Sequence, residues 1–388
     1  MKKITIPFIT LSISVSALML SACSDKNNEP GPDDTPVQEN SADLDYTESN
    51  AASWGNYMAQ VAALLRNDAN TLYNSWATSY SGGAAFADNF KAHNGGDYSS
   101  ALSCVEQIIE GCADIANEVG TAKIGDPYQL YISGDRQSAL YAVESWYSWH
   151  SREDYSNNIL SIRNSYYGTL DGSVSPKSLS SLIADIDPDL DTRIRNAIQN
   201  TAYSILAIPQ PFRNNINSSE SRAAMTACAD LESLLSIQLK SAVNSVGDDP
   251  RLQGIVETYV DDVILPTYKN LRDKNEALYQ AVINLKNRPS DEAFASACNA
   301  WLEAREPWER SEAFLFGPVD ALGLDPNMDS WPLDQDNIVQ ILTSGNYDNL
   351  NWSDDDDDDK IEAVQSVRGF HTLEFLLFKD GMPRRVNK

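Results

Sequence analysis

The chain is 388 residues long with 42% hydrophobic residues, enough to build folded domains of ordinary size rather than a disordered or fibrous polymer. Its 56 Asp and Glu against 29 Lys and Arg give a formal net charge of −27. That balance excludes nucleic acid as a partner, because phosphate binding needs clustered Lys and Arg, and it disfavours flat docking on anionic lipid. It suits a solvated surface that attracts cations.

The chain opens with an address. Lys2 and Lys3 precede an apolar run over residues 4–20, followed by Leu20-Ser21-Ala22-Cys23. The pattern predicts a signal peptide over 1–22 and a lipoprotein box in which Cys23 becomes the lipidated first residue of the mature protein. Residues 23–44, rich in Asp, Asn, Glu, Pro and Gly, cannot bury enough surface to offset their ordering entropy and read as a flexible acidic tether. Acidic residues just after a lipid cysteine resemble the surface-export signals of some Gram-negative lipoproteins. The expected location is the cell envelope, lipid-anchored in the outer membrane and surface-exposed.

Helical periodicity then takes over. Trp54, Tyr57, Met58, Val61, Leu64, Leu65, Leu72 and Trp76 recur at helical steps, as do Leu102, Val105, Ile108, Ile109, Cys112, Ile115 and Val119. Further helices fit 190–206, ended by Pro209-Gln210-Pro211, and 220–243. A long apolar stripe from Leu252 to Leu285 contains Pro266, whose ring should kink it. Pro289-Ser290-Asp291-Glu292 supplies a stop, an N-cap and a negative first turn. No stretch shows several alternating strands joined by tight turns. The fold class is therefore all-α, packed as two bundles, with Gly247-Asp248-Asp249-Pro250 as the boundary between 45–247 and 248–388.

Cys104, Cys112, Cys228 and Cys298 permit disulfides by their even number, but free buried cysteine is the preferred reading. Ser353 and the aspartates at 354–359 read as a plain acidic loop, because like charges so dense stay solvated and no EF-hand spacing is present.

Three histidines occur. His93 lies in a loop-like segment and His150 in the aromatic stretch 146–150. His371 sits in Gly369-Phe370-His371-Thr372-Leu373-Glu374, where almost every neighbour is apolar. On a helix His371 and Glu374 share a face. Imidazole plus carboxylate is a partial shell for iron or zinc. The alternative is a core histidine with Glu374 paired to an arginine. Upstream, Trp301, Arg305, Trp308 and Glu312 recur at helical steps, placing Arg305 and Glu312 on one face two turns apart. No His-Glu-x-x-His, Walker-type loop or Gly-x-Ser-x-Gly elbow is present.

Arg305, Ser311-Glu312-Ala313-Phe314, Phe316-Gly317-Pro318, Asp329-Ser330-Trp331-Pro332 and the Gly-x-His-x-x-Glu segment together resemble the imelysin-like family. Glu144-Ser145, Ser148 and His150 with Asp154 and Asn158, and Ile208-Pro209-Gln210-Pro211-Phe212, match its other half more loosely. The His-x-x-Glu half comes last here, as in a circular permutation. The resemblance implies two similar four-helix bundles with a polar site between them, comprising Arg305, Glu312, His371 and Glu374 with Ser148 and Asp154 from the other half. His371 and Glu374 would be metal ligands with Glu312 a third, and Arg305 would orient a carboxylate or meet an anionic ligand. The implied function is non-catalytic binding of iron or another divalent metal, as the ion or a small iron-containing ligand, with iron-transport proteins as partners. The rival readings are a zinc-dependent peptidase, the family's older label, and a surface interaction module built on the aromatic segment 301–316.

Overall fold

The computed structural model describes residues 44–386 apart from 95 and 354. The leader, Cys23 and all but the last residue of the tether lie outside the described residues. Eight helices carry the architecture: α1 (Ala51–Ala77), α2 (Ala101–Glu118), α3 (Ser151–Tyr167), α4 (Pro188–Leu206), α5 (Ser219–Ser233), α6 (Leu265–Asn287), α7 (Asp291–Glu309) and α8 (Gly369–Leu377). Their starts follow local chemistry. The Ser100 hydroxyl accepts the Ser103 N–H while the Ser103 hydroxyl accepts the Ser100 N–H, a reciprocal cap for α2. Asp187 followed by Pro188 opens α4, Ser218 caps α5 and Ser290 caps α7.

The helices pack as two bundles. In one, α2, α3, α4 and α5 bury Ile108, Ile109, Ile159, Ile162, Ile194 and Leu231. In the other, α1 packs along α6, α6 along α7, and α8 closes against α1 and α7. The first described helix thus lies with those of the C-terminal part. The Trp54 indole donates to the Leu376 carbonyl at 2.9 Å, and the Tyr57 hydroxyl to Val367 O at 2.6 Å. Trp54, Trp76, Trp301 and Trp308 are fully buried. The tryptophans of the aromatic segment 301–316 are therefore interior. Strand structure among the described residues is one two-residue hairpin, Phe378–Lys379 with Met382–Pro383, so the all-α class holds.

The helix continues through Pro266 with its regular pattern interrupted. The chain passes from a helix over Arg251–Thr258 through a π-helical turn, Tyr259–Ile264, into α6, and that turn, directly before Pro266, accommodates the ring and the missing N–H. A second π turn, Val119–Lys123, extends α2 and carries Lys123 into the interior. The aspartate run is more structured than a plain loop. Asp357 accepts the Lys360 N–H at 2.9 Å and caps a helix over Asp358–Gln365, whose negative first turn faces the positive end of the helix dipole. The four described cysteines, Cys104, Cys112, Cys228 and Cys298, are free and buried, as preferred from the sequence. Among the described residues no helix is long and apolar enough to cross a membrane.

Two glycines position the site. Gly111 lets α2 approach the Ala313 carbonyl, where a Cβ would collide, so the turn carrying Glu312 lies directly against α2. Gly369 opens α8 at φ +86°, and an added Cβ would stand 2.5 Å from the Met328 carbonyl oxygen. Gly369→Ala combines left-handed strain with a backbone clash and is expected to cost about 3 kcal/mol, read as a drop in denaturation midpoint. An unchanged midpoint would contradict this account of the motif glycine.

Candidate metal centre

Arg305 lies on α7 among Trp301, Trp308 and Phe370, its guanidinium carbon 5.3 Å from the Phe370 ring centre, with no solvent exposure. A charge so placed requires partners. Asp329 meets Nη1, Glu309 Oε1 lies 2.6 Å from Nη2 and Asp154 Oδ2 lies 3.6 Å from Nε. The Glu309 approach is an ion pair whose alignment leaves Oε1 without a hydrogen bond. Asp329 also accepts the Trp308 indole N–H at 2.6 Å. Burial pushes the Asp329 carboxyl up, but Arg305 and the hydrogen bond from His371 outweigh it and hold the group below the usual carboxylate range.

On α8, His371 and Glu374 point together as their spacing predicts. His371 Nδ1 is 3.1 Å from Glu374 Oε2, and Nε2 is 3.1 Å from Asp329 Oδ1. Its ring meets that of Trp331 edge-on at 4.9 Å. Burial and the nearby Arg305 disfavour the imidazolium. Hydrogen bonds to Asp329 and Glu374 prevail and raise its pKa to about 9. Each ring nitrogen thus has a carboxylate to donate to. The other Glu374 oxygen accepts backbone N–H groups of Tyr147 (3.0 Å) and Ser148 (2.7 Å). Ser148 therefore reaches the network through its backbone, while its hydroxyl turns to the Ser145 carbonyl. Asp154 joins the network fully, accepting from the Ser145 hydroxyl at 2.5 Å and lying 2.9 Å from His150 Nδ1. Burial lowers the His150 pKa, but Asp154 more than compensates and raises it to about 8.

Glu312 departs from the expected geometry. α7 ends at Glu309, and the Ser311 hydroxyl and N–H both donate to the Trp308 carbonyl, tightening the chain into a 3-10 turn over Glu312–Phe314. Glu312 consequently does not stand two helical turns above Arg305. It meets Glu309 and Asp329, and one carboxylate oxygen from each of the three lies within 4.8 Å of the others. Glu309 is fully buried and its second oxygen takes the Asn158 amide at 2.5 Å. Burial, reinforced by Asp154 and Asp329 against the pull of Arg305, raises its pKa to about 8. Burial likewise lifts Glu312 well above the ordinary range, against the pull of Lys123. Three clustered carboxylates, two of them poised to shed a proton, form an oxygen-donor set that fits a hard cation.

The structure thus brings Arg305, Asp154, His371, Glu374 and Glu312 to one region, with Ser148 at its edge. Glu309 and Asp329 were missed as site residues. Glu309 is four residues from Arg305 on the same helix, a spacing that signals a pair. Asp329 stood inside a quoted motif without an assigned role. Asp325, raised to about 7 by burial and by Asp329 and Glu118, had no local signal.

Two helical bundles enclosing a buried ionic cluster with a carboxylate trio define an all-helical protein. The family model described as Imelysin matches residues 31–238 and 264–387. The chain belongs to the imelysin family. A crystal structure described as an imelysin peptidase from Bacteroides ovatus is 61% identical, with a TM-score of 0.88 over 89% of this chain and 99% of that one. Iron-regulated protein A of Synechococcus elongatus is 32% identical over 124 residues, covering 32% of this chain and 31% of that protein. The chain thus spans under a third of the length of that curated relative.

Proposed function

We propose that this protein binds iron, or another multivalent cation, without turning over a substrate, as a lipid-anchored component of iron uptake in the cell envelope. The observation that carries this reading is the trio of Glu309, Glu312 and Asp329, whose oxygens converge within 4.8 Å. Buried like charges at that spacing oppose one another until a cation or protons intervene. Arg305, His371, Glu374 and Asp154 serve as the frame that fixes two of the three ligands. The pair first expected as ligands, His371 and Glu374, supports the site from behind, since both imidazole nitrogens are engaged by carboxylates. Iron is favoured by the iron-regulated relative. The leader and Cys23 support the anchor and the outer-membrane location, and iron-transport proteins are the corresponding partners.

Hydrolysis of peptides has less support. It asks for about three ligands, an open position and a general base, and the helical device for it places two imidazoles one turn apart. His371, the imidazole that touches the trio at Asp329, has neither nitrogen free, and His150 meets Asp154 rather than any of the three carboxylates.

Calorimetry and metal analysis of protein purified without chelators test the proposal. Wild type is expected to bind with defined stoichiometry, and Glu312→Gln to weaken binding about tenfold by removing one charged donor. Glu303→Gln, on the exposed side of α7, should leave it unchanged. Undiminished binding in a Glu309→Gln/Glu312→Gln protein would discard this ligand set.

A further inference from the structure

A cleft of about 620 Å³ has Glu118, Lys123, Asp126, Tyr141, Glu144 and Trp331 among its walls. Two of these residues connect it to the cluster. Trp331 meets the His371 ring at 4.9 Å. Lys123 is buried, and its charge acts on Glu312 and Glu309 as well as on Glu144 and Glu118. The cleft has room for a cation with its hydration shell and for a small organic chelate alike, so size does not choose between them. Charge does. Among the described residues lining the cleft, Lys123 is the one cation, set against three carboxylates. It is already held by Glu144 at 3.0 Å and Glu118 at 3.6 Å, the latter with half its side chain in solvent. An anionic guest finds no free donor charge there, whereas a cation finds a negative mouth ahead of the carboxylate trio.

Resting on the reading of Glu309, Glu312 and Asp329 as ligands, we infer that this cleft is the path by which a bare or water-ligated cation reaches them, and that it turns away anionic chelates. The acidic walls concentrate the cation and speed its capture, an effect that salt screens. Lys123 works against them, tempering the field at the inner end of the path.

Terbium association, followed by luminescence sensitised through Trp308, whose indole donates to Asp329 at 2.6 Å, tests the inference. Glu118→Gln/Glu144→Gln is expected to slow capture about tenfold at low salt, with the gap closing near 0.5 M salt. Lys123→Gln is expected to speed it, and opposite signs from two neighbouring changes cannot come from damaged folding. In a second arm, protein is incubated with ferric citrate carrying labelled citrate. Iron should be retained and the label should not. Stoichiometric co-retention of citrate would overturn the inference, as would terbium rates indifferent to both the double and the lysine substitutions. A wild-type protein that takes up no terbium would overturn both this and the ligand assignment.

Discussion

Arg305→Met is expected to destabilise the protein by about 3–5 kcal/mol, the range for leaving buried charge without its counter-ion. Methionine occupies similar volume between Trp301, Trp308 and Phe370, so packing changes little and the loss is electrostatic. Asp329, Glu309 and Asp154 would then share a dry interior with only the His371 and His150 imidazoliums close at hand. The stranded carboxylates can relieve part of the cost by taking up protons. The deficit in urea unfolding should therefore be smaller at pH 5 than at pH 8. Pairing the change with Asp329→Asn should cost less than the two single changes added together, because each alone strands the other's partner. A deficit below about 1 kcal/mol at pH 8, or strict additivity in the double variant, would mean that Arg305 is not the keystone of this network.

The helices were legible because their causes are local. Apolar residues at three- and four-residue steps, Ser290 before Asp291, and Pro209 after α4 need no knowledge of the rest of the chain. The His371–Glu374 pair was legible for the same reason, as was free, buried cysteine. What failed was extrapolation past a helix end. Arg305 and Glu312 share a face only if the helix runs through Ser311, and the Ser311 hydroxyl instead closes a tighter turn. The aspartate run was read by its charge alone, although Asp357 supplies a cap. Lys123 could not have been placed, since a π turn swings it inward toward carboxylates nearly two hundred residues away. The set of helices followed from short-range pattern, while the membership of the carboxylate trio depended on how two bundles meet.

That membership has a consequence for pH. Glu309, with a pKa of about 8, carries a proton at neutral pH that an arriving cation must displace. Affinity should therefore rise by up to about tenfold per pH unit below the pKa for each proton displaced, roughly fiftyfold between pH 6 and 8 for Glu309 alone, and level off above pH 8. Glu312, also raised, steepens the rise. The metal-free protein should move the opposite way. His371 titrates at about 9 in the folded protein against 6.5 ordinarily, so the stability it contributes, about 3 kcal/mol, is complete below pH 6.5 and fades as pH climbs toward 9. Glu309 holds its proton in the fold at a pH where the unfolded chain, at 4.5, has lost it, so it too removes stability between those values as pH rises. A cation replaces the Glu309 proton with a stronger positive charge and offsets that loss. The difference in melting temperature between metal-loaded and metal-free protein should consequently widen from pH 6 to pH 8. Calorimetry in buffers of different ionisation enthalpy should count at least one proton released per ion near neutrality. A difference that stays flat with pH, together with no proton release, would show that the cation does not sit on Glu309.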